Sequence, residues 1–131
     1  MQATVVAMMN EEESLNARMV ELESEDIGLR WRAAMALSKM GTPVLDPLLE
    51  CIQNGSVAKA PAMWAISEIG HKKAVPVLVN ELFLGEEEFH RAMAACALLK
   101  IADPEGVEQV KMALANGTEA FAELFMEVYG K

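Results

Sequence analysis

Histidine, cysteine and aromatic residues are scarce in this chain. Of its 131 residues, two are histidine, two are cysteine and 5% are aromatic. A metal site built from several converging imidazole and carboxylate ligands has little to draw on, and so has an activated-thiol site. Basic residues are few as well: 11 Lys and Arg stand against 20 Asp and Glu, for a net charge of -9. Such a field repels polyanions, so neither nucleic acid nor an anionic membrane is expected as a partner. No apolar run approaches the roughly 18 residues that suggest a bilayer-spanning helix. Met1–Asn10 contain no basic residue and do not read as a signal peptide. Cys51 and Cys96 fall in separate apolar segments. They read as small structural thiols of a reducing compartment, and a cytoplasmic location is the default expectation.

What is abundant favours helices. Apolar residues make up 53% of the chain, ten of them methionine, and only five prolines and eight glycines interrupt it. A chain this long forms one domain and buries enough surface to fold without a disulfide or metal. The acids are grouped. Glu11, Glu12, Glu13, Glu21, Glu23, Glu25 and Asp26 crowd the first segment, and Glu86, Glu87 and Glu88 form a second run. These read as solvated helix starts and loops, with docking to a basic partner as the sharper alternative.

A segment repeats at a period of about 30 residues. Met35–Gly41 (MALSKMG) aligns with Trp64–Gly70 (WAISEIG) and with Cys96–Ala102 (CALLKIA). The aligned columns are Ala33, Ala62, Ala94; Ala36, Ala65, Ala97; Leu37, Ile66, Leu98; and Met40, Ile69, Ile101. Their i, i+3, i+4, i+7 spacing is one stripe of an α-helix, with small residues placed for close helix contact. Gly41 and Gly70 then end the helix, while Ala102-Asp103-Pro104 replaces the glycine in the third unit.

A second helix follows each stop, carrying Leu45, Leu48, Leu49 and Ile52, then Val75, Leu78, Val79 and Leu82, then Val107, Val110 and Leu114 with Lys111 interrupting the column. Asn54-Gly55 and Asn116-Gly117 read as turns that favour positive φ. A basic column, Arg30, Lys59 and Arg91, reads as structural, pairing with an acid or a loop carbonyl. Asp26 and Glu87 stand four residues before the two arginines, at ion-pair spacing.

The stretches Leu29–Gly41 and Ala62–Leu82 resemble the HEAT-like repeat of the phycobilisome-lyase type. The expected fold is therefore all-α: a right-handed α-solenoid (superhelix) of about three HEAT-like helix pairs with half-unit caps. One domain, residues 1–131, would hold units at about 25–54, 57–85 and 88–115. An N-terminal cap is expected at about 11–23 and a C-terminal cap helix at about 118–129. Met1–Asn10 stay open between a first helix, a frayed arm and a segment ordered by a partner.

The resemblance names a fold and not a function. It implies that the second helices line the concave side, with Pro47, Glu50, Val77, Asn80, Gln109 and Met112 near that surface. This mixed groove suits a peptide or helix of another protein. Trp31, if exposed, is a hot-spot candidate.

The reading of function is a non-catalytic protein-binding adaptor or scaffold, with no cofactor, no metal and no catalytic residue. The family also contains bilin-attaching lyase subunits, so a tetrapyrrole lyase-like protein or cofactor chaperone is the alternative. Self-association into a homodimer through the half-unit ends is a third. One HEAT-like enzyme class, deoxyhypusine hydroxylase, holds iron between His-Glu pairs. Here His71 precedes Lys72 and His90 precedes Arg91, so no such dipeptide exists.

The register of the second helices is testable. Leu49→Ala, as a truncation inside the stripe, is expected to lower stability by roughly 2–5 kcal/mol in chemical denaturation. A loss below about 0.5 kcal/mol would mean that the stripe is misplaced.

Overall fold

The computed structural model describes residues 2–130, with side chains from residue 12 onward. The helices run in the order α1 (Gln2–Leu22), α2 (Ile27–Met40), α3 (Leu45–Gln53), α4 (Lys59–Ile69), α5 (Val75–Leu84), α6 (Glu88–Ile101), α7 (Pro104–Asn116) and α8 (Glu119–Tyr129). No strand occurs among the described residues. The fold is an α-solenoid in two layers. In one, α2, α4, α6 and α8 pack in sequence, and in the other α5 packs between α3 and α7. α1 packs against α2 at the leading end.

Local chemistry explains the helix ends. The Asp26 carboxylate accepts hydrogen bonds from the backbone N–H of Gly28 (2.9 Å) and Leu29 (3.3 Å), capping α2. Asp103 caps α7 beside Pro104, and the Thr118 hydroxyl caps α8 through the N–H of Phe121. Gly70 ends α4 in the left-handed region, at φ 73° and ψ 19°. Short 3₁₀ turns, Thr42–Val44 and Lys72–Ala74, lead into α3 and α5.

The core is the set of expected stripes pressed together. Leu37, Leu48, Ile66, Leu78, Leu82 and Leu98 are fully buried, and Leu49 is 7% exposed. Ala65 and Ala97 are buried, whereas the matching Ala36 is half-buried. Ion pairs tie neighbouring units at the surface, Lys73 to Asp46 at 2.8 Å and Lys100 to Glu68 at 2.7 Å.

Four details depart from the sequence reading. The first helix is not confined to about 11–23, because α1 extends back to Gln2. In α7 the buried line is Gly106, Val110 and Ala113, while Val107 and Leu114 are only half-buried. Gly106 has a physical reason for its place: a Cβ there would lie 3.0 Å from Leu98 Cδ2, so α7 closes on α6 through its smallest residue. Gly117 is extended, at φ -85° and ψ 177°, and Thr118 starts α8 in place of a positive-φ turn.

The last departure concerns the third stop. Ala102 itself takes the left-handed conformation, at φ 62° and ψ 24°. An L side chain pays roughly 1–2 kcal/mol there through contact of Cβ with the following carbonyl. Ala102→Gly is therefore expected to stabilise the protein by about 0.5–1 kcal/mol, the steric relief outweighing the added freedom of the unfolded chain. A lower denaturation midpoint for this variant would contradict the assignment of strain to Ala102.

Candidate functional site

A cleft of about 610 Å³ opens where the end of α3 and the loop after it face α5 and the loop after that. Gln53, Asn54, Ser56 and Val57 form one wall. Val77, Asn80 and Leu84 form the other, at the spacing of a single α5 face. Glu86, Glu87 and His90 stand at the mouth. Val57 and Leu84 are apolar yet 62% and 73% exposed.

The cleft floor holds an ion pair between the two helices of one unit, α4 and α5. Lys59 Nζ, from the first turn of α4, lies 3.0 Å from Glu81 Oε1 and 3.2 Å from Oε2. The two side chains are 13% and 7% exposed, so each needs the other to keep its charge out of water. Gly85 makes room for this arrangement. A Cβ there would collide with the Glu81 carboxylate and carbonyl, and would lie 3.0 Å from Arg91 Cγ.

The basic column serves the structure by a different route in each unit. Arg30 Nη1 donates to the carbonyl of Ser24 at 3.0 Å, and Arg91 Nε donates to that of Leu82 at 2.8 Å. The Arg91 guanidinium also lies 4.9 Å from the centre of the Phe121 ring, which ties α6 to the cap helix α8. The pairs expected from spacing do not form. Asp26 is occupied as a helix cap, and Glu87 Oε2 meets His90 Nδ1 at 3.1 Å.

Only two of the residues assigned to the concave face, Val77 and Asn80, line this cleft. Pro47 and Gln109 are half-buried, and Glu50 and Met112 are exposed, at corresponding places on α3 and α7 outside it. Trp31 sits in the other layer, where its ring meets Trp64 edge to face at 6.4 Å. It is half-buried there, not a free indole. Leu84 was within reach of sequence reasoning, as the next turn of the Val77 stripe. Val57 was not, because it lies in a loop where no periodicity operates.

In the layer that holds Trp31, a second groove of about 480 Å³ is bordered by Trp64, Met63, Met93, Cys96 and Tyr129. Burial pushes the Cys96 thiol up to about 11. Burial, with the Glu23 carboxylate beside it, does the same for Cys51. Both thiols stay protonated at neutral pH and are poor nucleophiles. Among the described residues no three His, Cys, Asp or Glu side chains converge as a metal cluster would require, and no helix is long and apolar enough to cross a membrane.

A family model described as PBS lyase HEAT-like repeat matches residues 29–54. That stretch is similar to one HEAT-like repeat. The matched HEAT-like unit is α2 with α3, and α4 with α5 and α6 with α7 repeat its plan. No curated protein matches the chain. The cleft lies between the second helices of the first two HEAT-like pairs, so it is a product of their stacking.

Breaking the ion pair from one side leaves a buried carboxylate without a partner. Lys59→Met is expected to lower stability by on the order of 3 kcal/mol, with much of the loss recovered in Lys59→Met/Glu81→Leu. Urea denaturation of the two variants checks this. A double variant no better than the single one would show that the pair is not the reason for the loss.

Proposed function

We propose that this chain is a non-catalytic adaptor or scaffold, and that the cleft between α3 and α5 receives a peptide or helix of another protein. The observation that carries this reading is the exposure of Val57 and Leu84 around one cleft, with Val77 between them in its lining. Exposed apolar side chains gathered in a concavity gain from being covered, and single ones scattered over a surface do not require it. Asn54, Asn80 and Gln53 supply amide donors and acceptors beside them, suited to a polypeptide backbone. Helix-in-groove docking uses this combination of apolar anchors and a polar rim.

A tetrapyrrole-handling role draws on the family likeness alone. The two thiols that could carry a bilin are the protonated Cys51 and Cys96.

A photo-crosslinking residue placed at Leu84 or Val77 is expected to capture a defined protein partner in cells of the source. The same residue at the exposed Ala115 of α7 is expected not to capture it. Equal capture from all three positions, or none from the cleft, would defeat this reading.

A further inference from the structure

We propose that the occupant of the cleft is a basic amphipathic segment, with its apolar side against Val57, Val77 and Leu84 and its lysines or arginines against Glu86 and Glu87. This rests on the docking reading above and names the chemistry of the partner. The charges at the cleft decide it. Lys59 is a cation of the lining, but both oxygens of the Glu81 carboxylate hold its ammonium, so it offers nothing to an incoming anion. Glu81 is neutralised by the same contact. What remains at the mouth is Glu86 and Glu87, both exposed, with Glu88 next in the chain. His90 Nδ1 meets one oxygen of Glu87, at 3.1 Å, which leaves its other oxygen and the whole of Glu86 to a ligand.

An acidic ligand would meet the two glutamates with no free cation to balance it. A basic one meets complementary charge beside its apolar contact. The net charge of -9 extends the same preference to longer range and speeds the approach of a cation. The apolar anchors locate the segment, and the acids select its sign.

The test uses the full chain and a fluorescent leucine–lysine amphipathic peptide, with its leucine–glutamate counterpart as the opposite charge. Anisotropy is read at about 0.05 M and 0.5 M salt. The lysine peptide is expected to bind and to weaken as salt rises. Glu86→Lys/Glu87→Lys is expected to weaken it by roughly tenfold. Glu12→Lys/Glu13→Lys, which changes net charge equally on α1, is expected to leave it within about twofold. Circular dichroism confirms that each variant is folded.

If the α1 variant weakens binding as much as the cleft variant does, the peptide answers only to overall charge and the proposal falls. It falls equally if the glutamate peptide binds as well, or if neither peptide binds. The docking reading has its own measure in Leu84→Asp. A cleft that binds the glutamate peptide and loses it in Leu84→Asp would refute the basic partner while keeping the docking site. Lysine-peptide binding unchanged in Leu84→Asp would remove the site itself, and this proposal with it.

Discussion

Ala62, Ala65, Ala94 and Ala97 end at Cβ, and this lets α4 and α6 settle closely against their neighbours in the layer. All four are buried. Between them Ile66 and Leu98 fill the space that a row of alanines would leave, also without exposure. Close packing of this kind tolerates neither a missing methylene nor an added one. Each helix pair is too small to cover its own apolar stripe, so stability comes from the contact between units, and the chain must stack to fold. Ala36, in the leading pair, is the half-buried member of the alanine columns.

Polar contacts of the first turns then set how adjoining helices and loops meet. Arg30, Lys59 and Arg91 occupy one column, yet one reaches a carbonyl before its helix, one reaches a carboxylate on the second helix of its own pair, and one reaches both a carbonyl and an aromatic ring. The column asks for a long cation near the helix start, and the acceptor is whatever the adjoining loop presents. At Lys59 the acceptor is the buried Glu81, and Gly85 must remain small to admit it. The contact that holds α4 to α5 is also the floor of the cleft. A change at the ion pair would act on packing and on the shape of the site together.

That coupling bears on the kind of function the cleft can serve. Its chemically distinctive groups are already engaged, Lys59 with Glu81 and His90 with Glu87. What the cleft leaves outward is apolar surface, side-chain amides and carboxylates. These suit recognition of a ligand by shape and charge, as the adaptor proposal requires.

Periodicity made most of the fold legible. Apolar spacing and glycine or proline stops marked the helix pairs, because burial of one face leaves its period in the chain. The stripes Leu45, Leu48, Leu49, Ile52 and Ala62, Ala65, Ile66 lie in the core where that spacing put them. The reading failed where a residue of the wrong size or conformation took the position. Gly106 replaced a branched apolar residue as the contact of α7, and Ala102 adopted a glycine's geometry without being glycine. The choice between Asp26 as cap and Asp26 as ion-pair partner was also invisible, since an aspartate just before the first turn can reach either the free N–H groups of Gly28 and Leu29 or Arg30.

By itself, then, the chain determined its helices, their stripes and their stacking, all of which follow from local order along the backbone. The cleft was decided by tertiary structure alone. It needs Gln53 and Asn54 from the end of one unit, Val57 from the loop after it, and Lys59, Glu81 and Leu84 from the two helices of the next to arrive together. Residues with no common period are brought to one place by packing, and no pattern along a single strand of sequence records that meeting.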